Sequence, residues 1–551
     1  MFARQRERVD ALVRVMGRRF LAQTALITHL CKGFVFGGGQ EGLVGTPLQF
    51  LLRGYGTLDA SRIQVLRTIA VSPWALKPLF GMLSDTLVLG GYNKLPLVLC
   101  STGAAVVACL VLALLGPLTP TVVTLLLLVL FTQVAVADLL IEAKYTQKMV
   151  GHDAVGPTLT SFNSLGLAAG QFFSILLCGL LLSYVQHLPY LYLLPVPIFV
   201  GLLWPTYENW MDDEEYVAPT AGRSAPTMDA SGALVAAPPA RNRLLGLCGP
   251  ALWYETRAGA QVPVCGLDTE KVAQHWRVFL LCCVICAVSL LTSLIGLLGW
   301  PTVWLFVASL LSACAMVGAM FALLDDRRVA LIQTYVVLAS VCQVSTGSAD
   351  FFFYTDSVAQ YAAGPHFSTF FYVTVMGVVG TALHICGGLI YYFCMTHWRF
   401  HTILRFANLV LIVLSVPQIF LVLRWNLALG VPDWLFVLGL EAAQTVTSAW
   451  AGMPITLMVL HLCPPGIEAT SFALLAGSAN TGRALSQYTG AYLLEAFAVA
   501  PRGAVGEDAQ FANLWKVYLI GVFLPVIPLL LIPALIPDRR QTDSVLAEER
   551  V

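Results

Sequence analysis

The chain has 551 residues, 58% of them apolar and 11% charged, with a formal net charge of zero and a mean hydropathy of +0.77. Soluble domains carry about a quarter charged residues, so an ordinary soluble enzyme is excluded. The aromatic content excludes a disordered chain, and the charge balance leaves no electrostatic basis for binding nucleic acid.

In chain order, residues 1–23 form an arginine-rich segment. Glu7, Asp10 and the scarcity of serine argue against a mitochondrial presequence and for a basic, lipid-facing cytosolic tail. Residues 24–205 contain six apolar runs, each long enough to cross a ~30 Å hydrocarbon layer. Residues 206–275 are polar. An acidic run (Asp212, Asp213, Glu214, Glu215) leads into an Ala/Pro/Gly-rich stretch that predicts a largely disordered cytosolic loop. Two more spans fall in 276–325 and six in 326–537, before a short tail at 538–551. The expectation is an all-α polytopic membrane protein with fourteen spans. Most cysteines sit inside apolar runs, as Cys282, Cys283 and Cys286 do, and the nine histidines are scattered. Neither a metal site nor a cofactor is expected, and no nucleophile constellation or GxxxxGK[ST] phosphate loop argues for an enzyme or an ATP-driven pump.

Lysines and arginines test the threading. With a cytosolic N-terminus, only Arg53, Arg62, Arg424 and Arg502 fall on the external side, while Lys32, Arg67, Lys77, Arg483 and Lys516 lie within spans. The rest are cytosolic, which predicts that both termini face the cytosol.

Two regions repeat. TSF at 160–162 opens a span after GHDAVGP (151–157), and TSF at 470–472 opens another after CPPG (463–466). Small residues follow at four-residue spacing, Gly166 with Gly170 and Ala473 with Gly477, a pattern that permits close helix approach. Aligning these pairs makes spans 1–6 equivalent to spans 9–14 and leaves spans 7 and 8 as an inserted, peripheral pair. Two six-helix halves with a midplane site are the build of major facilitator transporters.

KPLFGMLSD (77–85) followed by GGYNKLP (90–96), LCPPGIEATSFALLAGSANTG (462–482) and FANLWKVYLIGVFLP (511–525) resemble the folate–biopterin transporter family. The resemblance covers about 24–205 and 329–537, and the inserted pair looks like the elaboration of kinetoplastid members. It implies a secondary transporter of folate or biopterin, with Gly81, Asp85 and Lys94 forming a cytosolic gate.

Lys32, Glu41, Lys77, Asp138, Glu142, Asp350, His384, Glu441 and Arg483 lie deep within spans. All are on spans 1, 2, 4, 5, 9, 10, 12 or 13, the ones that line the cavity in the major facilitator arrangement. An ionisable group at the bilayer centre costs at least ~2.5 kcal/mol unless it faces protein or water, so this segregation predicts an aqueous cavity. Lys77 and Asp138 fall within one helical turn in height and could pair, while Asp138 and Glu142 share one helix face. These three are candidates for coupling or helix pairing. Candidate substrate contacts are Glu41, Asp138, Asp350, Tyr354, Asn480 and Arg483. Carboxylates suit pterin N–H groups, the aromatic run Phe351–Tyr354 offers stacking, and a guanidinium suits a glutamate-tail carboxylate. Pairing of Arg483 with Glu441 or Asp350 is the structural alternative. The expected partners are a small-molecule substrate, the lipid bilayer and protons, for a monomer in the plasma membrane. A transporter of S-adenosylmethionine or another bulky metabolite is the competing substrate class, and a receptor or channel the competing protein class.

Overall fold

The computed structural model describes residues 2–39, 41–149, 155–213, 227–228, 234–235, 244–246, 249–250, 252–255, 261–460 and 468–541. The CPPG turn, Glu214, Glu215 and residues 151–154 of GHDAVGP lie outside them.

The first span is broken. Helix α1 (Phe2–Met16) is separated by Gly17 from α2 (Arg18–Thr24), which winds directly into a π-helical segment, Ala25–Val35. The chain then turns through Gly37, Gly38 and Gly39, all at positive φ, and restarts as α3 (Gly42–Arg53). Only glycine takes up such a run of conformations without strain. The second span begins at α4 (Ala60–Val71), where the Asp59 carboxylate caps the helix by accepting from the Arg62 backbone N–H. A 3-10 turn, Ser72–Trp74, leads to α5 (Lys77–Thr86) and a short strand, β1 (Leu87–Leu89). Helices α6 (Leu95–Leu114), α7 (Pro120–Met149), α8 (Gly156–Tyr184) and α9 (Val196–Tyr207) complete the first half.

The loop expected to be largely disordered contains strands β2 (Thr227–Met228), β3 (Leu234–Val235), β4 (Leu244–Gly246), β5 (Gly249–Pro250), β6 (Leu252–Glu255) and β7 (Gln261–Asp268). Strand β7 pairs antiparallel with β1, β4 and β6. From Leu244 onward, segments such as LWYE and QVPVC carry the β-branched and aromatic residues that favour strands. The short pair β2 and β3 lies within the Ala/Pro/Gly-rich stretch, and the five-stranded sheet draws its loop strands from the residues that follow it. At the head of the loop, Asp213 accepts hydrogen bonds from the backbone N–H groups of Lys94 (2.8 Å) and Leu95 (3.1 Å).

Helix α10 (Thr269–Gln274) precedes the inserted pair, α11 (Trp276–Leu297) and α12 (Thr302–Leu323). The second half comprises α13 (Arg327–Val341), α14 (Gly347–Thr355), α15 (Met376–Ile390) between two π-helical turns, α16 (Phe400–Val422), a short α17 (Trp425–Ala428), α18 (Asp433–Leu460), α19 (Glu468–Ala496), α20 (Leu514–Phe523) and α21 (Val526–Leu535).

Among the described residues, nine helical stretches are long and apolar enough to cross a membrane. The predicted spans outside that set are the first, second, ninth, twelfth and thirteenth. The first, second and ninth are interrupted within the span, and α18 and α19 are diluted by polar residues. All five are predicted cavity-lining spans, so the same polarity that weakens their membrane signal suits them to face water. Apolar side chains elsewhere stay exposed, Leu310 and Leu311 on α12 and Phe393 and Val413 in the second half among them, as a lipid-facing surface requires.

The repeat acts through close approach. A Cβ on Gly170 would fall 2.3 Å from the His29 carbonyl oxygen in the π-helical segment, and one on Gly477 would fall 2.4 Å from the ring of Pro78. Thus α8 packs tightly on the first span of its own half, while α19 packs on α5 of the other half. The inserted pair lies across the seam between the halves. Helix α11 contacts α4, α5 and α19, and α12 contacts α13 and α19. Thr302 donates to a Glu495 carboxylate oxygen at 2.6 Å, which ties α12 to α19.

Gly490 on α19 tests this packing. A Cβ there would meet the Ser345 carbonyl oxygen at 1.9 Å, whereas one on Gly439 meets nothing within 4 Å. Gly490→Ala is expected to cost about 1–3 kcal/mol, read as a lower melting temperature of the detergent-solubilised protein. Gly439→Ala should leave it unchanged or higher.

Candidate substrate cavity

Between the halves lies a cavity of about 520 Å³, within the ~300–1,000 Å³ range of small-molecule sites. Helix α4 and the Ser72–Trp74 turn wall it on one side. The α13–α14 break, α19 and α20 wall it on the other. Gln64 spans the seam, donating to the carbonyl oxygens of Ser345 and Gln487, both at 2.8 Å. The Ser345 carbonyl is available because the ninth span is interrupted between Val341 and Gly347, and the Gln487 carbonyl belongs to α19.

Four of the predicted contacts line this cavity: Glu41, Asp350, Asn480 and Arg483. Glu41 accepts from the Arg67 guanidinium at 2.9 Å and from the Thr46 hydroxyl at 3.1 Å. Arg67 also donates to the Gln49 side-chain oxygen at 2.9 Å. Asp350 sits in the first turn of α14, where the helix dipole favours a carboxylate. It accepts from the hydroxyls of Thr346 and Tyr518. The alternative in which Arg483 pairs with Asp350 or Glu441 is not what forms. Arg483 donates to the Asn480 side-chain oxygen at 2.8 Å, Asn480 donates to the Trp74 carbonyl at 3.0 Å, and Glu441 takes the Thr445 hydroxyl. Among the described residues no carboxylate stands within salt-bridge distance of Arg483.

Two predicted contacts lie elsewhere. Tyr354 stacks on Phe367, and Phe351, Phe352 and Phe353 are fully buried. Phe351 meets Phe50 edge-on across the seam at 4.8 Å. These rings occupy the last turns of α14, where the halves seal, so the run does not offer a stacking face to the cavity. The aromatics on the cavity wall are Trp74 and Tyr518. Asp138 is 1% exposed; one oxygen accepts from Lys77 and the other from Lys32, both at 2.7 Å. Pairing with Lys77 is as expected, and Lys32 is the partner that sequence spacing missed. Lys32 also approaches Glu142 at 3.5 Å. The Lys77 ammonium lies 4.6 Å above the Trp74 ring, so this cluster stands directly behind the cavity wall.

Cross-seam contacts flank the cavity along the second span. Toward α3, Arg53 donates to Asp356 at 2.7 Å, Thr355 at 2.8 Å and Gln360 at 3.2 Å, with its guanidinium over the Phe351 and Phe352 rings. At the other end, Asp85 accepts from the Thr470 backbone N–H at 3.0 Å and hydroxyl at 2.7 Å. The carboxylate thereby caps α19 from the opposite half. Lys94 approaches Asp85 at 4.0 Å, and Lys271, just after β7, donates to the Asp85 carbonyl at 3.2 Å. The predicted gate residues Asp85 and Lys94 thus meet at this end, and Gly81 lies one turn earlier on α5, its carbonyl accepting from Ser84.

Two helical halves closing on a polar cavity have the build of major facilitator membrane transporters. Solved structures share this fold. A mutant form of the nucleoside transporter NupG matches at a TM-score of 0.55 and 12% identity, over 94% of this chain and 100% of that one. The POT family transporter PepTSo matches at 0.56 and 11%, over 94% and 98%. The chain belongs to the BT1 family, whose model matches residues 38–551. Its relatives include the probable folate-biopterin transporter 6 of Arabidopsis thaliana, 24% identical over 98% of this chain and 90% of the relative. The folate-biopterin transporter of Synechocystis sp. is 33% identical over 24% of this chain and 25% of that protein.

The Asp138 cluster makes a stability prediction. Lys77→Met leaves a buried carboxylate half-paired and is expected to cost several kcal/mol, up to about 3–5, read as lower yield and melting temperature. Adding Asp138→Asn should recover part of that loss. A double variant no more stable than Lys77→Met would show that the pair does not stabilise the fold.

Proposed function

We propose that this protein carries folate or a pterin across the plasma membrane by alternating access, driven by protons, with both termini and the 206–275 loop in the cytosol. The observation that carries the substrate reading is the state of the charges in the cavity. Glu41 is neutralised by Arg67, and Asp350 is held by two hydroxyls, while Arg483 has no acidic partner among the described residues. That leaves Asp350 and Arg483 as one carboxylate and one guanidinium without a charged partner among the described residues, and the guanidinium suits an anion. Folate supplies two carboxylates for a guanidinium to bind through paired N–H donors. Its pterin can stack on Trp74 and donate to Asp350 or Glu41. S-adenosylmethionine offers a single carboxylate beside two cationic groups, so a guanidinium favours folate over that substrate. The relatives named folate-biopterin transporters agree with this reading.

Transport follows if the two cross-seam contacts break in turn. Release of Arg53 from Asp356 opens the cavity on one side, and release of Asp85 from Thr470 opens it on the other. The positive-inside distribution of lysine and arginine supports a cytosolic location for the Asp85 end. The inserted pair contributes no residue to the cavity wall, consistent with a peripheral place.

Counterflow of labelled folate and biopterin in proteoliposomes, with S-adenosylmethionine as competitor, tests the substrate. Arg483→Lys keeps the charge and loses the planar fork. Apparent folate affinity should fall about tenfold, equivalent to ~1.4 kcal/mol, and biopterin, which has no carboxylate, should be affected less. Equal loss for both would make Arg483 structural. Tag accessibility in sealed cells tests the topology, and an external 206–275 loop would overturn it.

A further inference from the structure

The four-charge cluster behind Trp74 contains two acids in unequal surroundings. Each oxygen of Asp138 accepts a 2.7 Å hydrogen bond from its own lysine, so protonating Asp138 would break a short charge-assisted bond and leave an enclosed ammonium without its acceptor. Glu142, one turn further along α7, is held far less. One oxygen stands 3.5 Å from Lys32, and the other, Oε2, is buried with no hydrogen-bond partner. An unpartnered, buried carboxylate oxygen is costly when ionised and is the natural place for a proton.

We propose that Glu142 is the carboxylate that takes up and releases the transported proton, and that Asp138 stays ionised as the pin between Lys32 and Lys77. This rests on the transport function proposed above and assigns its coupling step to one side chain. The groups acting on Glu142 are Asp138 and Tyr145 on its own helix, Lys32 from the first span and Lys77 from α5. The nearby cations of α4 and α19 are engaged elsewhere: Arg67 bonds Glu41, and Arg483 bonds Asn480.

The geometry also shows how the proton is felt in the cavity. With both acids ionised the four charges sum to zero. With Glu142 protonated the cluster carries one net positive charge, centred on lysines that lie over the Trp74 ring at 4.6 Å and 5.9 Å. Trp74 lines the cavity, so a proton on Glu142 attracts an anionic ligand to the other side of that wall. By linkage the bound anion favours the proton equally. A mechanical link runs in parallel. Lys32 lies in the π-helical segment, its carbonyl accepts from the Gly38 N–H at 2.9 Å, and the Gly39 carbonyl accepts from the Trp74 indole at 2.9 Å. Loosening Lys32 from Glu142 therefore acts on the backbone that positions both Glu41 and Trp74. A π-helical segment is a common site for such adjustment.

The test uses the full-length protein in proteoliposomes with labelled folate. A pH difference of one unit drives about tenfold accumulation per symported proton. Glu142→Gln should abolish that accumulation while folate counterflow between equal-pH pools persists. Asp138→Asn should depress counterflow and accumulation together. Proton-driven accumulation by Glu142→Gln at the wild-type level overturns the proposal, as does loss of accumulation with intact counterflow in Asp138→Asn alone. If Glu142→Gln does not reach the membrane, Glu142→Asp replaces it. The shorter acid should stay coupled with a displaced pH midpoint, and an unchanged midpoint overturns the assignment. Wild-type protein without folate or biopterin counterflow would refute the transport function itself. Wild-type counterflow without any response to a pH gradient would refute the assignment of Glu142 alone.

Discussion

An ionised carboxylate in the middle of a bilayer is tolerable only if cations reach it, and the first half is arranged around that requirement at Asp138. Lysines from the first and second spans converge on a carboxylate of the fourth, at 2.7 Å from either side. Three helices are thereby fixed in height and rotation by charges none of them can leave unpaired. The glycine-flanked π-helical segment of the first span lets Lys32 reach this point while α8 packs against its backbone at Gly170. The cost of buried charge selects the helix positions, and packing follows.

The same rule explains the cavity. Most of its ionisable groups have their own small partner sets: Glu41 with Arg67, Asp350 with Thr346 and Tyr518, Arg483 with Asn480. Neutral polar residues such as Gln64 satisfy the carbonyls exposed where the ninth span breaks. The result is a polar chamber with one guanidinium and one carboxylate that lack charged partners among the described residues, separated by the Trp74 indole from a second electrostatic unit. Ligand and cluster can then influence each other without direct contact.

The cross-seam contacts differ in chemistry. Arg53 engages Asp356 through a short ion pair over aromatic faces, a contact that strengthens as water is excluded. Asp85 instead caps the first turn of α19 and depends on the helix dipole and on accurate placement of Thr470. Small residues keep the helices beneath close, with Gly477 against Pro78 and Gly490 against the Ser345 carbonyl. Each contact joins one residue from either half, so neither exists until the halves meet.

Apolar run length and the confinement of charged residues to certain spans determined a helical membrane protein with a polar interior, because lipid admits no other placement for such residues. Repetition of TSF with its small-residue spacing pointed to a two-halved plan, and helix rise set Lys77 and Asp138 at heights where they could pair. Other features depended on rotation and on contacts distant in sequence, which spacing does not encode. Lys32 reaches Asp138 because a π-helical winding turns it inward. Arg67 faces Glu41 across a turn, and the Phe351–Tyr354 run seals the halves although its composition suits a stacking surface equally well. The strands of the long loop were obscured by the Ala/Pro/Gly bias around and before them, and β7 pairs with β1 only because the fold brings the two together. Composition dictates which groups must avoid lipid, and tertiary structure decides which of them meet, because partner choice depends on the relative rotation of helices joined through other parts of the chain.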